Sequence, residues 1–189
     1  MPMLTFTDSL PGRPRKILVA GTSASGKTTL ARGISQRLDV PHIEIDALFH
    51  GPDWTPRDTF LAEVDEFSSR PEWVTEWQYS SVRPLLAERA ELVVWLDLSR
   101  TTVMRQVVRR TVRRSVRKEQ LWNGNQEPPL RTVFTDPDHI IRWAWKTHHE
   151  NANRIAALLS ERPELAIVRL PSHTAARRWL DGVLGVTAS

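Results

Sequence analysis

The stretch that decides the fold is residues 16–30, KILVAGTSASGKTTL. It begins with a short apolar run, ILVA, which is typical of a strand buried in a parallel sheet. After the glycine-containing segment, Leu30, Ile34 and Leu38 recur at four-residue spacing, and this spacing predicts a helix. The stretch therefore predicts a strand, a tight loop and a helix in immediate succession.

The loop itself, residues 21–28, reads GTSASGKT and matches the phosphate-binding pattern G-x-x-x-x-G-K-[ST] at every fixed position. Its glycines let the backbone turn its N–H groups toward phosphate oxygens, and the following helix adds the positive end of its dipole. Lys27 would bridge the β- and γ-phosphates, and Thr28 Oγ would bind Mg²⁺. The sequence thus predicts ATP and Mg²⁺ as cofactors, held by Gly21, Thr22, Ser23, Ala24, Ser25, Gly26, Lys27, Thr28 and Thr29.

The rest of the chain alternates between strand and helix patterns, which predicts a parallel sheet covered by helices on both faces. Further strands are expected at 40–45, 73–76, 91–97 and 165–170. Helices are expected at 56–67 with Thr55 as its cap, and at 81–89, 101–118, 137–161 and 173–183. The predicted fold class is α/β, a three-layer α/β/α P-loop NTPase with five parallel strands. We expect residues 1–15 to be a flexible tail and 16–185 a single domain.

Composition limits the class of protein. The chain has 189 residues, of which 40% are hydrophobic and 25% charged, as in one globular domain with a sizeable core. It contains no cysteine, which excludes disulfides and thiolate metal sites, and no apolar run long enough to cross a bilayer. The first residues do not follow the pattern of a secretion signal. We expect a cytoplasmic monomer or homodimer without a membrane partner.

Positive charge is concentrated in one segment. Residues 100–118 contain eight Arg and Lys and no acid, and the other residues carry a net charge of −4, although the whole chain is at +4. Helical spacing separates an apolar stripe at Met104, Val108, Val112 and Val116 from a basic stripe at Arg105, Arg109, Arg113 and Arg117. A protein that binds nucleic acid through its general charge would spread that charge over a wider face.

These motifs together resemble a known group of proteins. The residues that carry the resemblance are the GTSASGKTTLA loop, HIEIDALFHGPDW, VVWLD, the arginine-rich helix and LPSHTAARRWL. They resemble the small P-loop kinases of the adenylate-kinase and shikimate-kinase type, and more narrowly the bacterial adenylate-kinase-like proteins labelled topology modulation proteins. The resemblance spans residues 16–184. It implies transfer of the γ-phosphoryl of Mg·ATP to a small acceptor, with a nucleoside monophosphate as the first expectation.

The chain departs from this group after its third strand. Members carry a stretch similar to Asp-Gly-Asn-Tyr, whereas residues 76–79 of this chain read EWQY. This segment, which includes Tyr79, would line the acceptor pocket. Because it differs from the stretch that members carry, the identity of the acceptor stays open. The resemblance also implies that Trp54, Arg57 and Arg83 hold the acceptor, Trp54 by stacking on it. The two arginines are equally compatible with a surface role.

Two acids follow predicted strands. The resemblance implies that Asp46 orients the acceptor hydroxyl, acts as the base or holds a water bound to Mg²⁺, and its alternative role is to cap the next turn. Asp97 follows LVVWL as the acid of a Walker B motif does, and it would hold Mg²⁺ or cap a turn. His148 and His149 are adjacent on a predicted helix, so they point in different directions and are poorly placed to share a metal ion.

The arginine-rich helix has two interpretations. The resemblance implies that it leads into a helical lid at about 113–138, and that Arg109 and Arg113 clamp the transferred phosphoryl group, with Arg110 and Arg114 as neighbouring candidates. In the alternative interpretation, the protein is an ATP-binding regulator whose basic helix contacts nucleic acid or a protein partner. Nucleic-acid binding would then weaken steeply as salt increases.

Overall fold

The computed structural model describes residues 3–117, 140–182 and 184. Five parallel strands form one sheet in the order β2-β3-β1-β4-β5. They are β1 (Lys16–Gly21), β2 (His42–Ile43), β3 (Trp73–Glu76), β4 (Leu92–Leu96) and β5 (Ala166–Leu170). Because all strands are parallel, their carboxyl ends meet at one edge, with β1 in the middle. The predicted five-stranded parallel sheet is confirmed.

Helices cover both faces of the sheet, as the alternating side chains of its central strand require. Ile17 and Val19 belong to one core cluster, and Leu18 and Ala20 to the other. The helices are α1 (Lys27–Leu38), α2 (Ile45–Phe49), α3 (Phe60–Ser68), α4 (Arg83–Arg89), α5 (Arg100–Arg117), α6 (Ile140–Glu161) and α7 (His173–Asp181). The first cluster includes residues of α1, α5 and α7, and the second includes residues of α3, α4 and α6. This confirms the predicted three-layer arrangement.

The second strand is shorter than its sequence pattern suggests. We predicted a strand over 40–45 that ends at Asp46, but β2 has two residues and α2 begins at Ile45. The buried carboxylate of Glu76 accepts a hydrogen bond from the Ile45 N–H at 3.3 Å, which holds the first turn of α2 against β3. Asp46 therefore lies in the first turn of a short helix and not at the end of a strand.

The helix predicted over 56–67 begins later, at Phe60, and its cap position is Thr59. Thr55 belongs instead to the 3₁₀ turn Pro52–Trp54, because its N–H donates to Pro52 O at 3.1 Å and its carbonyl accepts from Gly51 N–H at 2.7 Å. The cap predicted at Thr55 is therefore wrong, since both of its backbone groups already serve the turn.

Helix α5 packs through a face next to the one its apolar stripe suggested. Val103, Val107 and Thr111 are buried, whereas Val108 and Val112 are 43% and 41% exposed. The buried residues are also four positions apart, so the spacing of the predicted stripe is right, but the buried line runs one residue earlier along the chain. The structure describes this helix to Arg117, and residues 118–139, which include most of the predicted lid, lie outside the described residues.

Part of the predicted N-terminal tail packs against the sheet. Leu4 N–H donates to Ile167 O, and Arg169 N–H donates to Leu4 O, both at 2.8 Å. Leu4 and Phe6 also contact the first core cluster. Because β5 is an edge strand, this pairing covers backbone groups that the edge would leave open. Within the described residues, no helix is both long and apolar enough to span a membrane.

Candidate active site

The phosphate loop joins the central strand β1 to α1 at the carboxyl edge of the sheet. Gly21 and Gly26 have φ values of 153° and 98°, and Ala24 has 59°. A Cβ on Gly21 would lie 2.7 Å from Ser25 Oγ, which is closer than real contacts of that kind. The Ser25 N–H closes the loop by donating to Thr22 O at 3.1 Å. The loop conformation thus requires glycine at the position where the strand ends.

Lys27 is buried inside this loop, with 7% of its surface exposed. Its Nζ donates to Thr22 O at 3.2 Å. Burial lowers the pKa of Lys27 to about 8, although Asp46 and Glu76 act in the opposite direction, and the positive charge of Arg110 lowers it further. The phosphate-loop lysine, two carboxylates and an arginine of α5 therefore act on one another within a single site.

Two groups in the loop fit the phosphates of a nucleotide. The buried Ser25 hydroxyl has no hydrogen-bond partner in the part of the chain that the structure describes. Among the same residues, no carboxylate lies within ion-pair distance of Lys27 Nζ. A buried donor and a buried ammonium without an anionic contact are groups that a phosphate would satisfy.

Glu76 ends β3 beside the phosphate loop and is 1% exposed. Its carboxylate accepts hydrogen bonds from His42 Nε2 at 3.2 Å and from the side chain of Thr28. Burial alone raises the pKa of Glu76, but these bonds and that from Ile45 outweigh burial, so the pKa is lowered and the carboxylate stays ionised. A hydroxyl beside a carboxylate is an oxygen donor set that fits Mg²⁺.

Sequence reasoning placed Glu76 in the acceptor pocket and missed its contact with Thr28. The sequence feature that could have indicated this contact is an acid at the end of a buried apolar strand. Asp97, the predicted Mg²⁺ residue, is paired instead: its Oδ2 accepts from Arg169 Nε at 2.7 Å and lies 2.6 Å from Arg169 Nη2. The metal role of Asp97 stays a prediction, and Glu76 is the acid that contacts Thr28.

Asp46 lies where β2 leads into α2, and its carboxylate Oδ1 accepts two side-chain hydrogen bonds. Tyr79 OH donates at 2.5 Å and Gln78 Nε2 at 3.1 Å. The hydroxyl of Tyr79 is also 3.1 Å from His50 Nε2. The structure therefore brings together Asp46 and Tyr79, both predicted site residues, and adds Gln78 and His50, which the sequence pattern did not single out.

Aromatic rings surround this group. Tyr79 stacks on Phe49 with centroids 4.0 Å apart and meets Phe60 edge-on at 5.4 Å. His50 meets Trp54 edge-on at 5.0 Å. Burial raises the pKa of Tyr79, and the negative charge of Asp46 raises it further. Trp54, the predicted stacking residue, is thus part of an aromatic cluster beside Asp46.

The predicted acceptor arginines have acidic neighbours. Arg57 bonds Glu63 through both terminal nitrogens, at 2.6 and 3.2 Å. Burial lowers the pKa of Arg83, as does the charge of Arg154, whereas Glu150 raises it. Glu150 forms an ion pair with Arg154. Arg83 therefore faces α6, and Arg57 belongs to an ion pair beside the aromatic cluster.

The arginines of α5 differ in environment. Arg109 and Arg113 are exposed, whereas Arg110 is half-buried and its charge reaches Lys27. The clamping roles of Arg109 and Arg113 stay predictions, and Arg110 is an arginine of this helix whose charge acts on Lys27. The side chain of Arg114 lies outside the described residues.

Residues far apart in sequence also lie against the loop, from α6 and α7, and one residue of α5 bonds the residue from α7. Asn151 Nδ2 donates to Thr22 Oγ1 at 3.2 Å. Gln106 Nε2 donates to His173 Nε2 at 2.5 Å, and a Cβ on Gly26 would lie 3.4 Å from the His173 ring. Asn151 and Gln106 belong to no motif in the sequence, and His173 lies in the LPSHTAARRWL segment without having been predicted as a site residue. His148, one of the two histidines that the sequence places poorly for a shared metal ion, donates from Nε2 to Leu98 O at 3.0 Å.

Three solved structures that share the fold are kinases by name. A gluconokinase from Sinorhizobium meliloti 1021 is 22% identical, with a TM-score of 0.54 over 93% of this chain and 95% of that chain. A shikimate kinase from Acinetobacter baumannii in complex with shikimate is 15% identical, with a TM-score of 0.53 over 91% and 92%.

The shikimate kinase from Aquifex aeolicus is 11% identical, with a TM-score of 0.51 over 89% and 92% of the two chains. What these structures share with the chain is its fold. No protein-family model matches the chain, and no curated protein matches it either. The narrower resemblance to the topology modulation proteins stays a prediction.

Proposed function

We propose that the protein transfers the γ-phosphoryl of Mg·ATP to a hydroxyl group of a small acceptor. One observation carries the proposal: the buried Lys27 of the phosphate loop and the carboxylate of Asp46 act on each other electrostatically. The same site thus contains a cation for the transferred phosphoryl group and a carboxylate that can take the proton of the acceptor hydroxyl. This pairing is what phosphoryl transfer to a hydroxyl requires.

Different residues act on the nucleotide and on the acceptor. The loop backbone and the Ser25 hydroxyl bind phosphates, and Lys27 supplies positive charge where negative charge develops. Thr28 and Glu76 hold Mg²⁺, which when bound neutralises phosphate charge. Asp46 accepts a hydrogen bond from the acceptor hydroxyl and takes its proton. Arg110 adds positive charge from α5.

Arg109 and Arg113 retain their predicted role of clamping the transferred phosphoryl group, and the lid predicted over 113–138 would exclude water from the site.

Two classes of small molecule are candidates for the acceptor. The resemblance of the sequence to adenylate-kinase-like proteins favours a nucleoside monophosphate. The ion pair between Arg57 and Glu63 engages one of the two arginines expected to hold the acceptor. This supports a hydroxylated acceptor with less negative charge, and gluconokinase and shikimate kinase, which have the same fold, are named for hydroxy acids.

ADP formation from Mg·ATP tests the proposal. The acceptors are nucleoside monophosphates, nucleosides, sugar acids and shikimate-like hydroxy acids, with Lys27→Ala as the control. We expect one class to accelerate ADP formation and the variant to abolish it. Bound ATP without any acceptor dependence would contradict a kinase and leave the second candidate.

The second candidate is an ATP-binding regulator. It is favoured by three exposed arginines of α5 among the side chains that the structure describes, Arg105, Arg109 and Arg113. Binding of a DNA or RNA duplex through this face would weaken steeply between about 50 and 200 mM salt. A triple substitution of these arginines by Gln should remove that binding and leave ATP binding intact.

A further inference from the structure

His50 and Tyr79 connect to Asp46 through one chain of hydrogen bonds. We infer that this chain positions Asp46 as the acceptor-side base, so that His50 and Tyr79 act as positioning residues in the proposed reaction. The catalytic role of Asp46 in this inference rests on the proposed function. The chain is a structural claim that can be tested without catalysis.

The direction of the bonds follows from the groups involved. An ionised carboxylate can only accept, so Tyr79 O–H donates to Asp46 Oδ1 across 2.5 Å. The phenol has a single hydrogen, so its oxygen accepts from His50 Nε2–H across 3.1 Å. Burial lowers the pKa of His50 despite the charge of Asp46, which favours a neutral ring with one N–H. The chain therefore runs from His50 through Tyr79 to Asp46.

The chain leaves one oxygen of Asp46 for the acceptor. Oδ1 receives the hydrogen bonds from Tyr79 and Gln78, and Oδ2 has no hydrogen bond to any residue that the structure describes. Two donors on one oxygen fix the rotation of the carboxylate, because either donor alone would let it turn. Oδ2 is then held ready for the acceptor hydroxyl before the acceptor binds.

The surroundings fix Tyr79 as firmly as Tyr79 fixes Asp46. Its φ of 57° lies in the left-handed region, which a non-glycine side chain adopts only when neighbouring contacts compensate. Those contacts are Phe49, stacked at 4.0 Å, and Phe60, edge-on at 5.4 Å. His50 is held edge-on to Phe49 at 5.0 Å. The two positioning residues thus belong to one rigid aromatic group.

In the reaction, Asp46 Oδ2 takes the proton of the acceptor hydroxyl while the acceptor oxygen forms its bond to the γ-phosphorus. The bond from that phosphorus to the β–γ bridging oxygen breaks, and its electron pair leaves with ADP. Tyr79 and His50 keep their own protons throughout. Their contribution is to hold Asp46 in one orientation.

The first test uses the fact that Tyr79 is the only tyrosine in the chain. Its ionisation can be followed by the ultraviolet absorbance of tyrosinate, without ATP or an acceptor. We expect little tyrosinate at about pH 10, where a free tyrosine is half ionised. Asp46→Asn should move the ionisation to lower pH because a negative charge beside the phenol is lost, and Asp58→Asn, at an exposed position, should not.

The spectroscopic result decides the structural claim. Ionisation of Tyr79 near pH 10 in the wild type, or the same ionisation in wild type and Asp46→Asn, would overturn the chain whatever the catalytic activity. Far-UV circular dichroism recorded at each pH confirms that the protein is still folded. This readout also separates a failure of the chain from a failure of the proposed function.

The kinetic test uses the acceptor identified by the ADP assay. Tyr79→Phe keeps the stacked ring and removes the hydroxyl, so kcat should fall about ten- to hundredfold with KM for ATP unchanged. His50→Leu should lower kcat in the same way. His50→Gln places an amide N–H near the position of Nε2 and should restore most of the loss. Wild-type kcat in Tyr79→Phe, or equal loss in Leu and Gln at position 50, would overturn the positioning role.

Discussion

Asn151 of α6 donates a hydrogen bond to Thr22 of the phosphate loop, with 3.2 Å between Nδ2 and Oγ1, although 129 positions separate the two residues. Helix α6 is the first described element after the predicted lid. A contact between this helix and the loop therefore links the return from the lid region to the nucleotide site. Nucleotide binding should depend on it.

Asn151→Ala removes this bond and leaves the packing of α6 largely unchanged. Loss of a neutral hydrogen bond corresponds to a weakening of ATP binding by about two- to tenfold. Calorimetric titration with ATP measures the change. Asn153→Ala, at an exposed position two residues later, is the matched control and should bind ATP as the wild type does. Equal affinity in both variants would show that the contact does not support the loop.

Gly21→Ala tests the shape of the loop. The new Cβ would lie 2.7 Å from Ser25 Oγ and 3.2 Å from Leu96 O, at a φ of 153°. We expect a loss of about 1–3 kcal/mol in the free energy of unfolding and no detectable ATP binding. Chemical denaturation and calorimetry measure the two effects. Gly12→Ala meets no atom within 4 Å, so it should change neither quantity.

The local sequence pattern was sufficient to predict the elements whose structure depends on neighbouring residues in the chain. The strand 73–76 has the predicted bounds, and the loop between β1 and α1 follows from its glycines and the flanking apolar residues. The fold class follows from the same alternation. These predictions succeeded because hydrophobic periodicity and turn residues act within a few positions of the chain.

Features that depend on distant contacts could not be predicted in the same way. The short β2 depends on a bond between Ile45 and Glu76, 31 positions apart, and Asp97 meets Arg169 at a separation of 72. His50 lies in the HIEIDALFHGPDW segment, but nothing in that pattern assigns it a role, and its place in the site depends on Tyr79. The site was therefore predictable at the loop and only in part at the acceptor side, where tertiary contacts choose among the available side chains.

Glu76→Gln tests the proposed support for Mg²⁺. The amide keeps the volume of the side chain but loses the negative charge beside Thr28. We expect the Mg²⁺ concentration for half-maximal activity to rise about ten- to hundredfold, the range found for residues that orient metal ligands. Titration of the ADP-forming rate with Mg²⁺ at fixed ATP measures it.

Asp97→Asn is the comparison for this variant, because Asp97 is the acid that the sequence predicted for the metal. If Asp97→Asn raises the Mg²⁺ requirement and Glu76→Gln does not, the assignment to Glu76 is wrong and the sequence prediction is right. If both variants raise it, the two acids act together on the metal.

Lys27 should make the stability of the nucleotide-free protein depend on pH. Its pKa is lowered from 10.5 to about 8 by burial in the folded protein. Between these values the unfolded chain binds a proton that the folded chain has released, so the free energy of unfolding rises with pH across this window. The full rise attributable to Lys27 is about 3 kcal/mol. Below pH 8 the buried charge is present and this stability is missing.

Lys27→Met removes the titrating group and should flatten the rise. At pH 7 we expect the variant to be more stable than the wild type by about 1–3 kcal/mol, because a buried charge has been replaced by an apolar side chain. Urea denaturation of both proteins at intervals from pH 7.5 to 9.5 measures the difference. The same slope in both proteins would mean that Lys27 carries an ordinary pKa in the folded state, and that the loop accommodates its charge without a nucleotide.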